Sequence, residues 1–162
     1  EQFAEVSSLL VEYGDTDLLY YRADSPPELQ KRQKAGWDPI VKWAENTIKV
    51  QINYGTGIVY IPQNAKLFSE TRRKINKLSI FELTAFYDMV SITGSFILGL
   101  AIIKGRLSAE EAYQLSRIDE QWQLEQWGED EEAQVASNLK NKAIMHSEEF
   151  FALSIGNKTT IF

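Results

Sequence analysis

Apolar residues recur at helical spacing along most of the chain. Phe3, Val6, Leu10 and Tyr13 mark a first amphipathic helix, closed by Gly14 and Asp15. Residues 18–21 form a short apolar run, read as extended. Ser25-Pro26-Pro27-Glu28 combines a serine N-cap, proline in a first turn and an acid three residues past the cap, so a helix begins there. Its polar stretch, residues 29–35, is expected to end near Gly36. Asp38 is biased away from helical geometry by Pro39, which then starts a second helix running to about Lys49. That helix carries Ile40, Trp43, Ala44 and Thr47 inward, with Trp37 as a staple on its first turn.

Residues 50–62 alternate branched and polar side chains around Tyr54-Gly55-Thr56-Gly57, which predicts two short extended segments about a turn, with 58–61 the preferred strand. A charged helix is expected over 65–76. Ser79 with Glu82 and Ser108 with Glu111 fit the capping-box pattern and frame helices over 80–104 and 109–127. The short link Gly105-Arg106-Leu107 makes them antiparallel neighbours. Gly128 caps the second, and Glu129 to Glu132 place four acids on the first turn of a last helix ending near Leu153. The fold class is therefore mainly α: one domain of about six helices over 1–155, a minor extended or β element near 18–22 and 50–61, and a tail over 156–162.

The run Arg117-Ile-Asp-Glu-Gln-Trp-Gln-Leu-Glu-Gln-Trp-Gly128 sets two tryptophans and three carboxylates on the predicted 109–127 helix. Leu115, Ile118 and Trp122 share one face, which makes Trp122 a core anchor. Tyr113, Glu120, Leu124 and Trp127 share another. One stripe suffices to dock a helix. The second is either covered by the fold or held for a partner, with Glu120 as a contact among aromatics or as an internal ion pair to Arg117. Asp119 lies by the first stripe and is placed to accept hydrogen bonds in the core.

Composition narrows the function. Seventeen Lys and Arg stand against 23 Asp and Glu, a formal charge of -6, which disfavours nucleic acid and anionic membranes. A basic or polar protein partner fits better. Arg72-Arg73-Lys74 reads as a solvated helix face. With no cysteine, disulfides and thiolate chemistry are excluded. The uncharged run 89–103 is fifteen residues, short of the roughly 20 that cross a bilayer, and reads as a buried helix. The chain opens without methionine or a signal peptide, as expected of a piece of a longer gene product.

Catalytic constellations are sparse. His146 is the one histidine, without partners for a triad, and no phosphate loop or metal cluster is present in the sequence. Glu120 and Glu125 could form an acid/base pair in a small helical hydrolase, but at five residues apart they diverge. The expectation is no enzyme, no cofactor, no metal and no catalytic residue; a generic helical interaction domain is the other alternative.

Several segments together carry a resemblance: Thr16-Asp17-Leu18-Leu19-Tyr20-Tyr21-Arg22, then Gln33 with Trp37-Asp38-Pro39-Ile40 and Trp43-Ala44, then Thr93-Gly94-Ser95, then Ser116 to Glu120 leading to Gln123, Trp127 and Gly128. Over residues 10–153 the chain resembles the ATP-twelve family of F-type ATP synthase assembly chaperones. The resemblance implies the helical C-terminal domain alone, the family's N-terminal β-rich domain being absent. It implies binding of the unassembled alpha subunit, shielding its beta-facing surface without ATP hydrolysis. It places the functional acid in Arg117-Ile-Asp-Glu120, where both Asp119 and Glu120 match and helix geometry favours Glu120. Trp37, Asp38 and Arg22 match further motif positions, Trp37 as core before contact and Arg22 as contact or buried ion-pair partner. The expected partner-binding set is thus Glu120, Asp119, Trp127, Tyr113, Leu124, Glu125, Trp37, Asp38 and Arg22, on a monomer. Its setting is the cytoplasm in an alpha-proteobacterium or the mitochondrial matrix in a eukaryote, the bacterial cytoplasm being preferred.

Overall fold

A computed structural model describes residues 2–156. Among them eight α-helices follow in order: α1 Gln2–Asp15, α2 Pro27–Ile48, α3 Ala65–Ile75, α4 Ile80–Thr93, α5 Phe96–Ile103, α6 Ala109–Ser116, α7 Ile118–Trp127 and α8 Glu131–Ile155. Two short strands, β1 Tyr21–Arg22 and β2 Gly55–Thr56, pair in parallel, Tyr21 with Gly55 and Arg22 with Thr56. The mainly α fold with a minor β element is as expected. Residues 157–162 of the expected tail lie outside the described residues, and Gly156 caps α8.

α5 is buried almost throughout and forms the centre of the core, with α1, α2, α4, α6 and α8 packed around it. No helix among the described residues is long and apolar enough to cross a membrane. The helix predicted over 80–104 is broken. Gly94 takes a left-handed conformation (φ 70°) and its N–H closes α4 on the Val90 carbonyl, while the Ser95 hydroxyl accepts the Leu98 N–H to start α5. Asp17 completes the start. Its buried carboxylate accepts the Leu19 N–H at 3.0 Å and the Ile97 N–H at 2.9 Å, tying the segment after α1 to the N-terminus of α5.

Residues 18–20 are a 3-10 turn rather than extended, closed by that same carboxylate; only Tyr21 and Arg22 form strand. Ser25 is not the cap of α2, because Pro26 occupies that position without a side-chain bond. The break expected at Gly36 and Pro39 is absent, and α2 runs through both. An internal proline costs about 3 kcal/mol. Buried Leu29, Trp37, Ile40, Val41, Ala44 and Ile48 lie on both sides of it on one stripe, each large side chain stabilising by roughly 1.5–3 kcal/mol, so burial wins.

The strand preferred at 58–61 is also corrected. Ile58 is 95% exposed and belongs to a loop. That loop is pinned at its base, where the Asn53 N–H donates to Gln63 Oε1 and Gln63 Nε2 donates back to the Asn53 carbonyl at 2.7 Å. β2 instead pairs two residues after Asn53, where Gly55 lets the chain lie beside Tyr21.

The helix predicted over 109–127 splits at Arg117 (φ -103°, ψ 10°). In an unbroken helix the Leu115 carbonyl would accept the Asp119 N–H. Here it accepts the Trp37 indole N–H at 2.8 Å, and the Ser116 hydroxyl donates to the Tyr113 carbonyl at 2.6 Å. Both capping boxes form as predicted, at Ser79 with Glu82 and at Ser108 with Glu111.

Candidate partner-binding site

The break at Arg117 reorients the region that the sequence marked. α7 buries no residue of its own, yet a set of polar contacts fastens one side of it to α2. Gln33 Nε2 donates to Asp119 Oδ1 at 2.6 Å, while Gln33 Oε1 accepts the Ala23 N–H at 2.8 Å. Arg32 donates through Nη1 to Glu125 Oε1 at 2.8 Å and lies 4.8 Å over the Trp122 ring. That guanidinium holds the Glu125 carboxyl below the usual carboxylate range. Gly36 permits close approach: a Cβ there would meet Ile118 Cδ1 at 2.9 Å and Leu115 Cδ2 at 3.0 Å.

The other side of α7 faces outward. Glu120, Leu124 and Trp127 share it at i, i+4 and i+7. Trp127 is 87% exposed, Leu124 is half-buried, and Glu120 is exposed beside Arg117 at 4.0 Å. Trp122, expected as a core anchor, is half-buried under Arg32 instead. Tyr113 leaves the stripe altogether. It is buried, and its hydroxyl donates to the Ser137 carbonyl at 3.0 Å, fixing α8 against α6.

The remaining motif residues form a second cluster at the start of α2. Arg22 Nη1 donates to Asp38 Oδ1 at 2.7 Å, its Nε to the Leu19 carbonyl, and its guanidinium stacks 4.6 Å over Tyr54 and 5.2 Å over Trp37. Arg22, Gln33, Lys34, Asp38 and Tyr54 line an open groove of about 420 Å³. Trp37 itself is fully buried, so it supports this cluster from below and presents no surface.

The resulting surface suits recognition rather than paired-acid chemistry. Glu120 and Glu125 diverge by roughly 140° around the helix, and Glu125 is committed to Arg32. His146 is exposed on α8. Among the described residues no three His, Cys, Asp or Glu side chains converge in a way that could hold a metal ion.

Sequence reasoning missed Arg32 and Gln33 as the anchors of α7, although Gln33 opened a marked motif. It also passed over Val135 and Leu139, which are 59% and 63% exposed on α8. Their signal was an i, i+4 apolar pair inside an acid-rich helix.

Known proteins with this arrangement decide the family. The chain is 42% identical to Atp12 from Paracoccus denitrificans, whose crystal structure it matches with a TM-score of 0.91 over 94% of this chain and 66% of that one. The family model described as ATP12 chaperone protein matches residues 1–45. The chain belongs to the ATP12 family. Another ATP12 relative, the mitochondrial protein atp12 of Schizosaccharomyces pombe, is 34% identical over 145 residues, covering 85% of this chain. The chain spans 50% of the length of that curated relative. In this ATP12 chain the separated resemblance segments meet in space: the first and second at Arg22 and Asp38, the second and fourth at Gln33 and Asp119.

Proposed function

We propose that this chain acts as an assembly chaperone for F-type ATP synthase, holding the unassembled alpha subunit and covering its beta-facing surface until the beta subunit arrives. The observation that carries this reading is the mounting of α7. Gln33 and Arg32 fix one side of the helix to α2, while the other side presents exposed Trp127, half-buried Leu124 and exposed Glu120, which lies beside Arg117. An exposed aromatic and aliphatic pair with a charge among them is how binding hot spots are built, and a rigid mount lowers the ordering cost of binding. The ATP12 likeness supports the chaperone role, and the chemistry needed is contact without turnover.

Asp119 belongs to this reading as the residue that positions α7, and Glu120 as the one that meets the partner. The protein works as a monomer, in the bacterial cytoplasm or the mitochondrial matrix, the settings of the family the sequence resembles. The reading is tested by co-purification of the chain with isolated alpha subunit, with beta subunit as the control. Stable capture of alpha alone is expected, and equal capture of both or of neither overturns it.

A further inference from the structure

α7 and α8 are joined by only three residues, Gly128, Glu129 and Asp130, and form a helical arm. Up to Lys140 and Lys142 on α8, the arm carries charge of one sign. Residues 118–139 hold Asp119, Glu120, Glu125, Glu129, Asp130, Glu131 and Glu132, with no lysine, arginine or histidine among them. Arg32 and Arg117 compensate two of these from outside, and Asp130 caps α8 through the Glu132 N–H. The acids at the elbow have no cation among their ion pairs.

The same arm exposes apolar surface. The first part of α8, residues 131–143, is fully buried at no position, and Tyr113 fastens it to α6 through Ser137. Val135, Ala136 and Leu139 form an exposed apolar face along α8, with Glu131 and Glu132 at its N-terminal end. Trp127 stands at the end of α7, separated from the start of α8 by the three linking residues. The apolar pair Val135 and Leu139 gains nothing from the fold and is costly to leave bare in water.

We infer that this arm docks a cationic amphipathic helix, one with apolar side chains on one face flanked by lysine or arginine. This rests on the chaperone reading and adds the chemistry of the segment taken. The apolar face of the incoming helix packs along the Val135–Leu139 face and covers Trp127, ridges into grooves as between neighbouring helices. Its cations meet the elbow acids, which raises the association rate and makes binding fall with salt. An acidic segment would meet the four elbow carboxylates Glu129, Asp130, Glu131 and Glu132 with no cation to offset them, so charge sets the sign of selection.

The test uses a synthetic helical peptide of leucine and lysine, and its leucine and glutamate counterpart, titrated into the intact chain with tryptophan emission as readout. The lysine peptide is expected to bind with a blue shift, about tenfold or more weaker in the Trp127→Ser/Leu139→Ser double variant, a hot-spot loss. In a Glu129→Gln/Glu131→Gln/Glu132→Gln variant, which spares the Asp130 cap, the salt dependence is expected to shrink. Binding of the glutamate peptide as strong as the lysine peptide, or binding unchanged in both variants, overturns the inference. Circular dichroism confirms that each variant keeps its helix content. Capture of alpha subunit is measured in parallel: if the parent captures alpha and the double variant does so undiminished, the arm inference falls while the chaperone reading stands. If the parent binds the lysine peptide at the arm but captures no alpha, the chaperone reading falls and the arm stands.

Discussion

Gln33 Nε2 donates to Asp119 Oδ1 at 2.6 Å across 86 residues of sequence, and this one bond separates the roles of two adjacent acids. Asp119→Ala strands the Gln33 amide in a part-buried place and is expected to cost about 1–3 kcal/mol. Glu120→Ala, on the exposed side, is expected to change stability by about 0.5 kcal/mol or less. Urea unfolding of the two variants checks the contrast. Equal losses would mean that the two sides of α7 are not distinct.

Asp17 makes the fold sensitive to pH in a defined direction. Burial raises its pKa from 3.8 to about 6, against the hydrogen bonds from Ile97 and Leu19 that pull it down. A raised folded-state value means the contribution of this group is greatest below about pH 4 and is lost as pH climbs through about 6. The stability of Asp17→Asn relative to the parent should therefore improve between pH 4 and 6, by up to about 3 kcal/mol. A pH series of denaturation midpoints showing no such convergence would contradict the burial argument.

Gly99 sits where α5 crosses α4. A Cβ there would meet Val90 Cγ2 at 2.6 Å and Phe86 Cε2 at 3.0 Å, both on side chains with no room to retreat. Gly99→Ala gains helix propensity of about 1 kcal/mol but overpacks a close-packed core, at about 1–3 kcal/mol. A net fall in melting temperature is expected, and a rise would show that α4 and α5 can separate without loss.

Arg32 holds Glu125 at an exposed site. In Arg32→Ala the Glu125 carboxyl should titrate at a higher pH than in the parent, because the donor that holds it down is gone. Stability should change little, as for other exposed ion pairs. A carboxyl-detected NMR titration gives the first quantity and thermal unfolding the second.

Much of this was legible along the chain because it is local. The capping boxes at Ser79 and Ser108 need only residues three apart, and both form. The buried character of 89–103 followed from its lack of charge. What was misread depends on distant partners. The Trp37 indole takes the Leu115 carbonyl and splits a helix whose own sequence gives no stop signal. The buried stripe across Pro39 carries α2 through a residue that locally argues for a break.

The candidate site follows the same division. Periodicity placed Glu120, Leu124 and Trp127 on one side of α7 and Asp119 on the other, which depends on α7 alone. Tyr113 was grouped with them only by extending that period through Arg117, where the helix ends. Arg32 and Gln33 act from another helix, beyond the reach of any local pattern.

We propose that the outward side of α7 meets the alpha subunit through Glu120. Quantitative co-precipitation of isolated alpha subunit with the parent and with Glu120→Lys tests it most directly, with thermal unfolding run on the same preparations. The account predicts loss of most alpha capture at an unchanged melting temperature. Capture equal to the parent, from a variant that is equally stable, would contradict it.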